Sequence, residues 1–211
     1  MMLLSVDSMG DLPTLEAIQR SPHSTPQSPL GLALEILFEH SPILVNLLEP
    51  QLNTVLKSSP PLASYTELIN IALSEIAKWD LQAQSEIISG HPRIGEVKNL
   101  SKLSASEQDA TGASPTPPDV LARLAHLNAC YEVVYPGLRY ITFVNGRSRA
   151  AIAEEMESVL GFVHSPNLNE PAVDSMVAKK DGSREWITEL NRAIDDIGRI
   201  ARSRLGALGV S

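Results

Sequence analysis

The sequence contains little cysteine and few aromatic residues, and each shortage narrows the kinds of protein it can be. Cys130 is the only cysteine among 211 residues, so a disulfide framework and a thiolate metal site are excluded. A single cysteine favours a reducing compartment. Aromatic residues make up 4% of the chain and hydrophobic residues 43%, so a packed core is possible but must be built from Leu, Ile, Val and Ala.

Strong positive charge, long apolar runs and recognisable address signals are also missing. The formal net charge is −8 and no basic run occurs, which argues against a nucleic-acid-binding surface. No apolar run approaches the length of a membrane span. Met1–Leu4 is too short for the apolar core of a signal peptide, and Leu208–Ser211 is not a peroxisomal address. We therefore expect no nucleic-acid partner, no membrane partner and no visible targeting signal.

Motifs that hold metals or phosphates are absent as well. The sequence has no His-Glu-x-x-His pattern, no cysteine pair and no cluster of carboxylates at ligand spacing. Gly-rich phosphate loops are missing, and Gly146-Arg147-Ser148 is long enough only for a turn into a helix. The sequence therefore predicts no protein-held metal.

Apolar residues recur at helical spacing through most of the chain, which predicts an all-α fold. We expect a single-domain helical bundle of about 7–9 helices over residues 29–208. Polar residues that favour helix starts stand before four of these helices, at Ser41, Asp80, Asp119 and Ser148. The last helix is predicted to run from about residue 183 to residue 208.

Three stretches lack helical spacing. Residues 1–28 are rich in Ser, Pro, His and Gln and predict a disordered tail, in which Leu15–Ile18 offers at most one helical turn. Residues 162–183 predict a loop insertion. Tyr140–Val144 is β-rich in composition but has no partner strand, so we expect an extended, largely buried connector near residues 138–145.

A histidine stands at a bend punctuated by proline and glycine, in the run Gly-His-Pro-Arg-Ile-Gly-Glu over residues 90–96. Pro92 biases His91 away from helical conformation, and Gly95 permits a tight turn. Such a bend can hold an imidazole in a cleft, where it moves protons near neutral pH. The alternative is a loop histidine that only makes hydrogen bonds, and spacing alone favours that alternative.

The run Ser104-Ala105-Ser106-Glu107-Gln108 allows two interpretations that are compatible with each other. A hydroxyl followed three residues later by a carboxylate is the pattern of a helix capping box, with Ser104 as the N-cap. The same serine can orient Glu107, or expose amide groups that bind anions. Gln108 is less easily explained by capping, because its amide both donates and accepts and so suits an amide-like or urea-like ligand.

Arginines near the end of the chain also divide between two interpretations. Arg199 and Arg202 are explained by a basic last turn that complements the helix dipole. Arg204 precedes the apolar Leu205, and its planar fork can face a cleft and bind a carboxylate or a carbonyl.

Taken in order, these motifs resemble the 2-oxo-4-hydroxy-4-carboxy-5-ureidoimidazoline (OHCU) decarboxylase family over roughly residues 30–206. The matching runs are residues 37–42 (Leu-Phe-Glu-His-Ser-Pro), 90–96 (Gly-His-Pro-Arg-Ile-Gly-Glu), Ser104-x-x-Glu107-Gln108, Leu127-Asn128-x-x-Tyr131, 141–148 (Ile-Thr-Phe-Val-Asn-Gly-Arg-Ser) and 199–205 (Arg-Ile-Ala-Arg-Ser-Arg-Leu). The chain departs from the family at Leu138-Arg139-Tyr140, where members commonly carry Phe-Pro-Phe, and in the residues after Gln108.

The resemblance implies a cofactor-free carboxy-lyase that forms (S)-allantoin in urate degradation, a branch of purine catabolism. It implies His91 and Glu107 as catalytic residues, with His91 transferring the proton. The residues it places around the substrate are Pro92, Ser104, Gln108, Thr142, Phe143, Val144 and Arg204. It also implies a homodimer in the cytoplasm or the peroxisome.

A second interpretation remains open: a family member that has lost catalysis and serves as a helical binding or scaffold module. The substituted residues that flank the pocket and the polar residues 1–28 are compatible with that interpretation.

Overall fold

The computed structural model describes residues 11–21, 27–96, 101, 103–105, 116–163 and 167–210. Its described residues are helical or irregular and contain no strand, so the predicted all-α fold is confirmed. The helices are α1 (Leu15–Gln19), α2 (Pro29–Phe38), α3 (Glu49–Ser58), α4 (Tyr65–Ile76), α5 (Leu81–Ser89), α6 (Pro118–Val134), α7 (Arg149–Leu160) and α8 (Arg184–Ala207). A π-helical turn spans Leu44–Leu48, and a short 3-10 helix spans Val173–Ser175.

The chain divides into two compact units. The first comprises residues 1–79 and 198–211, and the second comprises residues 80–197. Among the described residues, none of the helices combines the length and the apolar character that crossing a bilayer requires.

The first unit is built from α1 to α4, and it includes part of the segment for which the sequence predicts a tail. Thr14 caps α1, and Ile18 on that helix is 1% exposed. The Gln19 amide donates to the Leu56 carbonyl at the end of α3 and accepts from the Leu62 amide. Residues 11–21 therefore differ from the predicted tail, because one apolar side chain and several hydrogen bonds fix α1 on its neighbours.

The helix that leads into α3 begins at Pro42, as the sequence predicts, and widens into the π-helical turn before Pro50. Proline has no amide hydrogen and its ring clashes with the carbonyl four residues earlier, so a locally wider turn accommodates it. The predicted cap of this helix is not made. Ser41 Oγ is buried and has no hydrogen-bond partner among the described residues.

The second unit centres on α6 and α7, which pack against each other. Asp80 and Ser148 accept hydrogen bonds from backbone amides three residues later, so both predicted caps are confirmed. The prediction of Asp119 as a cap is wrong: α6 begins one residue earlier, at Pro118, and Asp119 lies in its first turn. The fixed φ angle of proline suits the first helical position, so α6 begins at Pro118.

The predicted connector and insertion both lie in the second unit. Tyr140, Ile141 and Thr142 are buried and extended outside any helix, which confirms the connector. The described residues of the insertion, 162–163 and 167–183, are irregular apart from the 3-10 helix, and Arg123 of α6 binds two of their carbonyl groups. The Arg123 guanidinium donates to the Leu168 and Glu170 carbonyls at 3.0 and 2.6 Å.

Candidate active site

His91 lies directly after α5 and is held by the last turn of that helix. Its side chain is buried, with the residue 3% exposed, and Nδ1 lies 3.2 Å from the Ile87 carbonyl oxygen. A carbonyl can only accept, so Nδ1 donates to it, and in the neutral form of the ring Nε2 is then the basic nitrogen. The contact with the helix therefore favours the tautomer in which Nε2 can accept a proton.

The turn after His91 is anchored to α6 by charge. The Arg93 guanidinium donates to both oxygens of Glu132, from Nε at 2.6 Å and from Nη2 at 3.0 Å, and Nη1 lies 3.3 Å from Glu96. The hydrogen bond to Glu132 raises the pKa of Arg93 above its usual value, with Glu96 acting in the same direction. This bidentate ion pair fixes the turn after His91 on α6.

Close packing requires glycine in the same turn. Gly95 has φ +86°, and a Cβ atom at that position would lie 3.1 Å from Leu124 Cδ1 and 3.2 Å from Leu124 Cβ. Asn128 Nδ2 donates to the Ile94 carbonyl at 3.0 Å and to the Leu124 carbonyl at 2.9 Å. The predicted tight turn is confirmed, and α6 supports it along its length.

The predicted capping box shifts by one turn. Leu103–Ala105 is helical, and Ser101 Oγ accepts the Ser104 amide at 3.1 Å, so Ser101 caps this helix. The prediction of Ser104 as the N-cap is wrong, because the earlier serine has the same three-residue spacing. Ser104 is buried inside the helix, 4% exposed. Glu107 and Gln108 lie outside the described residues.

Arginines bind the carbonyl groups of the connector. Arg192 Nη1 donates to the Ile141 carbonyl at 2.8 Å, and Arg147 donates to the Phe143 and Val144 carbonyls at 2.5 and 3.0 Å. Arg147 is itself paired with Glu155 on α7. These hydrogen bonds fix the orientation of the connector's carbonyl groups.

The amide groups of the same connector differ from its carbonyl groups in their hydrogen bonding. Within the described part of the chain, no hydrogen bond joins the N–H groups of Thr142, Phe143 or Val144 to another protein group. Thr142 is buried, and buried backbone donors are nearly always paired, so its amide is suited to bind a ligand. Phe143 and Val144 beside it are half-buried.

Tyrosines and carboxylates form the layer that supports the connector. The Tyr140 hydroxyl donates to Glu155 at 2.7 Å, and the Arg192 guanidinium carbon lies 5.0 Å from the centre of the Tyr140 ring. The Tyr131 hydroxyl donates to Glu189 at 2.7 Å, and its ring meets Tyr140 edge-on at 5.3 Å. Burial raises the pKa of Tyr131 and raises the pKa of Tyr140 to about 12.

The raised pKa of Tyr140 predicts a loss of stability in alkali. The fold holds the phenol in its neutral form, whereas tyrosine in an unfolded chain ionises near pH 10. The stabilisation is therefore complete below about pH 10 and is lost as the pH rises towards about 12, by roughly 3 kcal/mol in the free energy of unfolding. Urea unfolding at a series of pH values should show a shallower decline for Tyr140→Phe than for the wild type. Equal declines would contradict this account.

Arg204 belongs to the first unit, where it binds protein groups. It is 1% exposed, and Nη2 lies 2.5 Å from a Glu39 carboxylate oxygen. Nη1 donates to the carbonyls of Ile36 and Leu37, at the end of α2, at 2.9 and 3.4 Å. The predicted fork for a carboxylate is thus used on Glu39, and contact between Arg204 and a substrate stays a prediction.

Sequence reasoning missed the residues that support the site. Arg139, Arg192 and Glu155 carry no recognisable motif, and Arg147 was interpreted only as part of a turn. The available signal was the presence of arginines in and beside a buried, mostly apolar connector, because a buried arginine needs acceptors.

Neither a metal cluster nor an open surface groove among the described residues supplies another site. The described residues contain no group of three or more His, Cys, Asp or Glu that could hold a metal ion. An open groove of about 430 Å³ lies on the second unit. It is lined by Tyr135, Val159, Arg184, Glu185, Thr188 and Glu189. None of the predicted site residues lines it.

Comparison with known proteins gives the family. The sequence model described as OHCU decarboxylase matches residues 24–166, a range that includes His91, Thr142 and Val144 and ends before Arg204. A search of the curated proteins found no match. Because the family match spans more than half of the chain, the protein belongs to the OHCU decarboxylase family, whose members are decarboxylases of urate degradation.

Proposed function

We propose that the protein decarboxylates 2-oxo-4-hydroxy-4-carboxy-5-ureidoimidazoline to (S)-allantoin, and that it does so without a cofactor. The observation that carries the proposal is the buried imidazole of His91, whose Nδ1–H lies against the Ile87 carbonyl. A fixed neutral imidazole with its basic nitrogen on the other side of the ring is suited to proton transfer near neutral pH.

For this reaction the protein has to orient the substrate and transfer one proton. The bond between the ring carbon and the carboxylate breaks, and its electron pair is delocalised into the ring as carbon dioxide leaves. His91 Nε2, which carries no proton in the neutral ring, accepts the proton of the 4-hydroxyl group and delivers it to one face of the adjacent ring carbon, which fixes the configuration of the product. Proton transfer of this kind contributes about 10²–10⁴-fold, and orientation of the substrate supplies much of the remaining rate.

Other residues hold the substrate in this proposal. The amides of Thr142, Phe143 and Val144 donate to a carbonyl or to the negative charge that develops on the ring, which preorganised donors stabilise well. Their support is the bracing of the neighbouring carbonyls by Arg147 and Arg192.

The remaining roles rest on the family resemblance. Glu107 accepts hydrogen bonds from the ureido group and disfavours the nearby substrate carboxylate. Gln108 binds the ureido or ring amide, and Arg204 anchors a carbonyl or carboxylate. Pro92 and Ser104 line the pocket beside these groups.

Circular dichroism tests the proposal, because the product is chiral. The substrate is generated enzymatically from urate and its decay is followed with and without the protein. We expect faster decay with the protein and accumulation of (S)-allantoin alone. Equal rates and racemic product would refute the lyase and favour the scaffold alternative.

A further inference from the structure

Arg139 occupies a position between the two parts of the proposed site. It stands in the connector, three residues before Thr142, and its Nη1 donates to the main-chain carbonyl of His91, which is 48 residues away in the sequence. One side chain therefore joins the turn that carries the imidazole to the segment that carries the amide donors.

The electrostatic setting of Arg139 is costly for a cation. Burial lowers its pKa from the usual arginine value, and the charge of Arg93 acts in the same direction. Glu132 and Glu96 offset part of this effect from a distance. Among the residues that the structure describes, no carboxylate forms an ion pair with Arg139, and its guanidinium donates to the His91 carbonyl instead. An arginine kept in such a place makes a contact that a neutral side chain could not replace.

The hydrogen bond from Arg139 restricts the main chain of His91 at its carbonyl. This carbonyl belongs to the peptide bond before Pro92 and lies beyond the last residue of α5, Ser89, so α5 does not orient it. The ring of His91 contacts α5 through Nδ1. Fixing the carbonyl fixes the second end of the residue and leaves Cα little rotation about either bond.

We propose that Arg139 is a positioning residue for the decarboxylation, which sets the imidazole of His91 at a fixed place relative to the amides of Thr142–Val144. This inference rests on the proposed function.

Kinetics of Arg139→Ala and Arg139→Lys test the proposal. A displaced catalytic group loses rate rather than affinity, so we expect Arg139→Ala to lower kcat by about 10–100-fold with KM changed less than about threefold. Arg139→Lys keeps a charged donor and should fall between Arg139→Ala and the wild type. Guanidinium added at millimolar concentration should restore part of kcat to Arg139→Ala and none to His91→Asn.

Two controls separate positioning from a general effect on the fold. Arg20→Ala removes an exposed arginine that pairs with Glu16, and it should leave kcat and KM unchanged. Far-ultraviolet circular dichroism of each variant reports its helix content. Wild-type kcat in folded Arg139→Ala would overturn the proposal, as would a rise in KM at constant kcat, since the latter indicates direct binding of substrate.

A measurement without substrate separates failure of this inference from failure of the proposed function. Nitrogen NMR of the His91 imidazole reports its tautomer and environment in the resting protein. We expect the His91 signals to shift or broaden in Arg139→Ala and to stay unchanged in Arg20→Ala. An inactive wild type with this shift would refute the lyase alone, whereas unchanged His91 signals would refute the positioning role.

Discussion

His91→Asn is expected to lower kcat for decarboxylation by about 10²–10⁴-fold, the usual contribution of a general acid or base. Asparagine keeps an N–H donor that can meet the Ile87 carbonyl, so the end of α5 should remain intact. It cannot exchange a proton near neutral pH. The measurement is the initial rate of (S)-allantoin formation by circular dichroism, at equal concentrations of folded wild type and variant.

Separate values of kcat and KM show whether His91 acts in the chemical step or in substrate binding. If His91 acts only in the chemical step, kcat and kcat/KM should fall together and KM should stay nearly constant. His126→Asn is a matched control, because His126 also places a ring nitrogen against a main-chain carbonyl, that of Pro171, and is not one of the predicted site residues. Full activity of His91→Asn would assign proton transfer to another group.

Arg204→Met is expected to lower the free energy of unfolding by about 3–5 kcal/mol, the cost of removing one partner from a buried ion pair. The change leaves the Glu39 carboxylate, 10% exposed, without its guanidinium, and it removes a donor to two carbonyls at the end of α2. Methionine preserves much of the apolar volume of the arginine stem, so the loss reports charge and hydrogen bonding. Urea unfolding followed by circular dichroism measures it.

A neighbouring arginine provides the control. Arg202 is exposed on the same helix and donates to Asn70, so Arg202→Met should change stability by less than about 0.5 kcal/mol. The double variant Glu39→Gln with Arg204→Met should lose less than the sum of the two single changes, because no buried charge is left alone. Additive losses would contradict the buried pair.

Arg204→Lys addresses the predicted contact with the substrate. Lysine keeps the charge but cannot contact the Glu39 carboxylate and the Ile36 and Leu37 carbonyls from two nitrogens of one planar group. A variant that is folded and has an unchanged KM would limit Arg204 to its structural role, whereas a raised KM in the folded variant would support substrate binding.

Local sequence signals predicted the helices well, because a cap or a helical period is encoded within a few residues. Asp80 and Ser148 were identified from one residue type and the apolar positions that follow. The errors arose where two residues compete for one role within a turn. Pro118 displaced Asp119 at the start of α6, and Ser101 displaced Ser104 in the helix that precedes α6.

The candidate site was predictable only in its local part. Pro92 and Gly95 indicate the bend that holds His91, since Pro92 restricts the backbone of the residue before it and Gly95 permits the positive φ of a tight turn. The contacts that brace the bend and the connector join residues far apart in the chain. Arg139 reaches His91 across 48 positions, and Arg192 reaches Ile141 across 51. No pattern of neighbours encodes such pairs.

The same reason explains the two termini of the described chain. The polar composition of residues 1–28 predicts a tail, but the burial of Ile18 depends on a surface that other helices supply. The fork of Arg204 is recognisable as a carboxylate binder, yet its partner Glu39 is 165 residues away. In both cases the sequence showed the chemical character of the residue, but it did not show which residues it contacts.

A crystal structure with (S)-allantoin bound tests the central claim most directly, because the product keeps the ring and the ureido group of the substrate. The account predicts one ligand molecule with His91 Nε2 against the ring and the Thr142–Val144 amides on a ligand oxygen. Product bound in a place that His91 does not touch would contradict the assignment of the proton to this histidine.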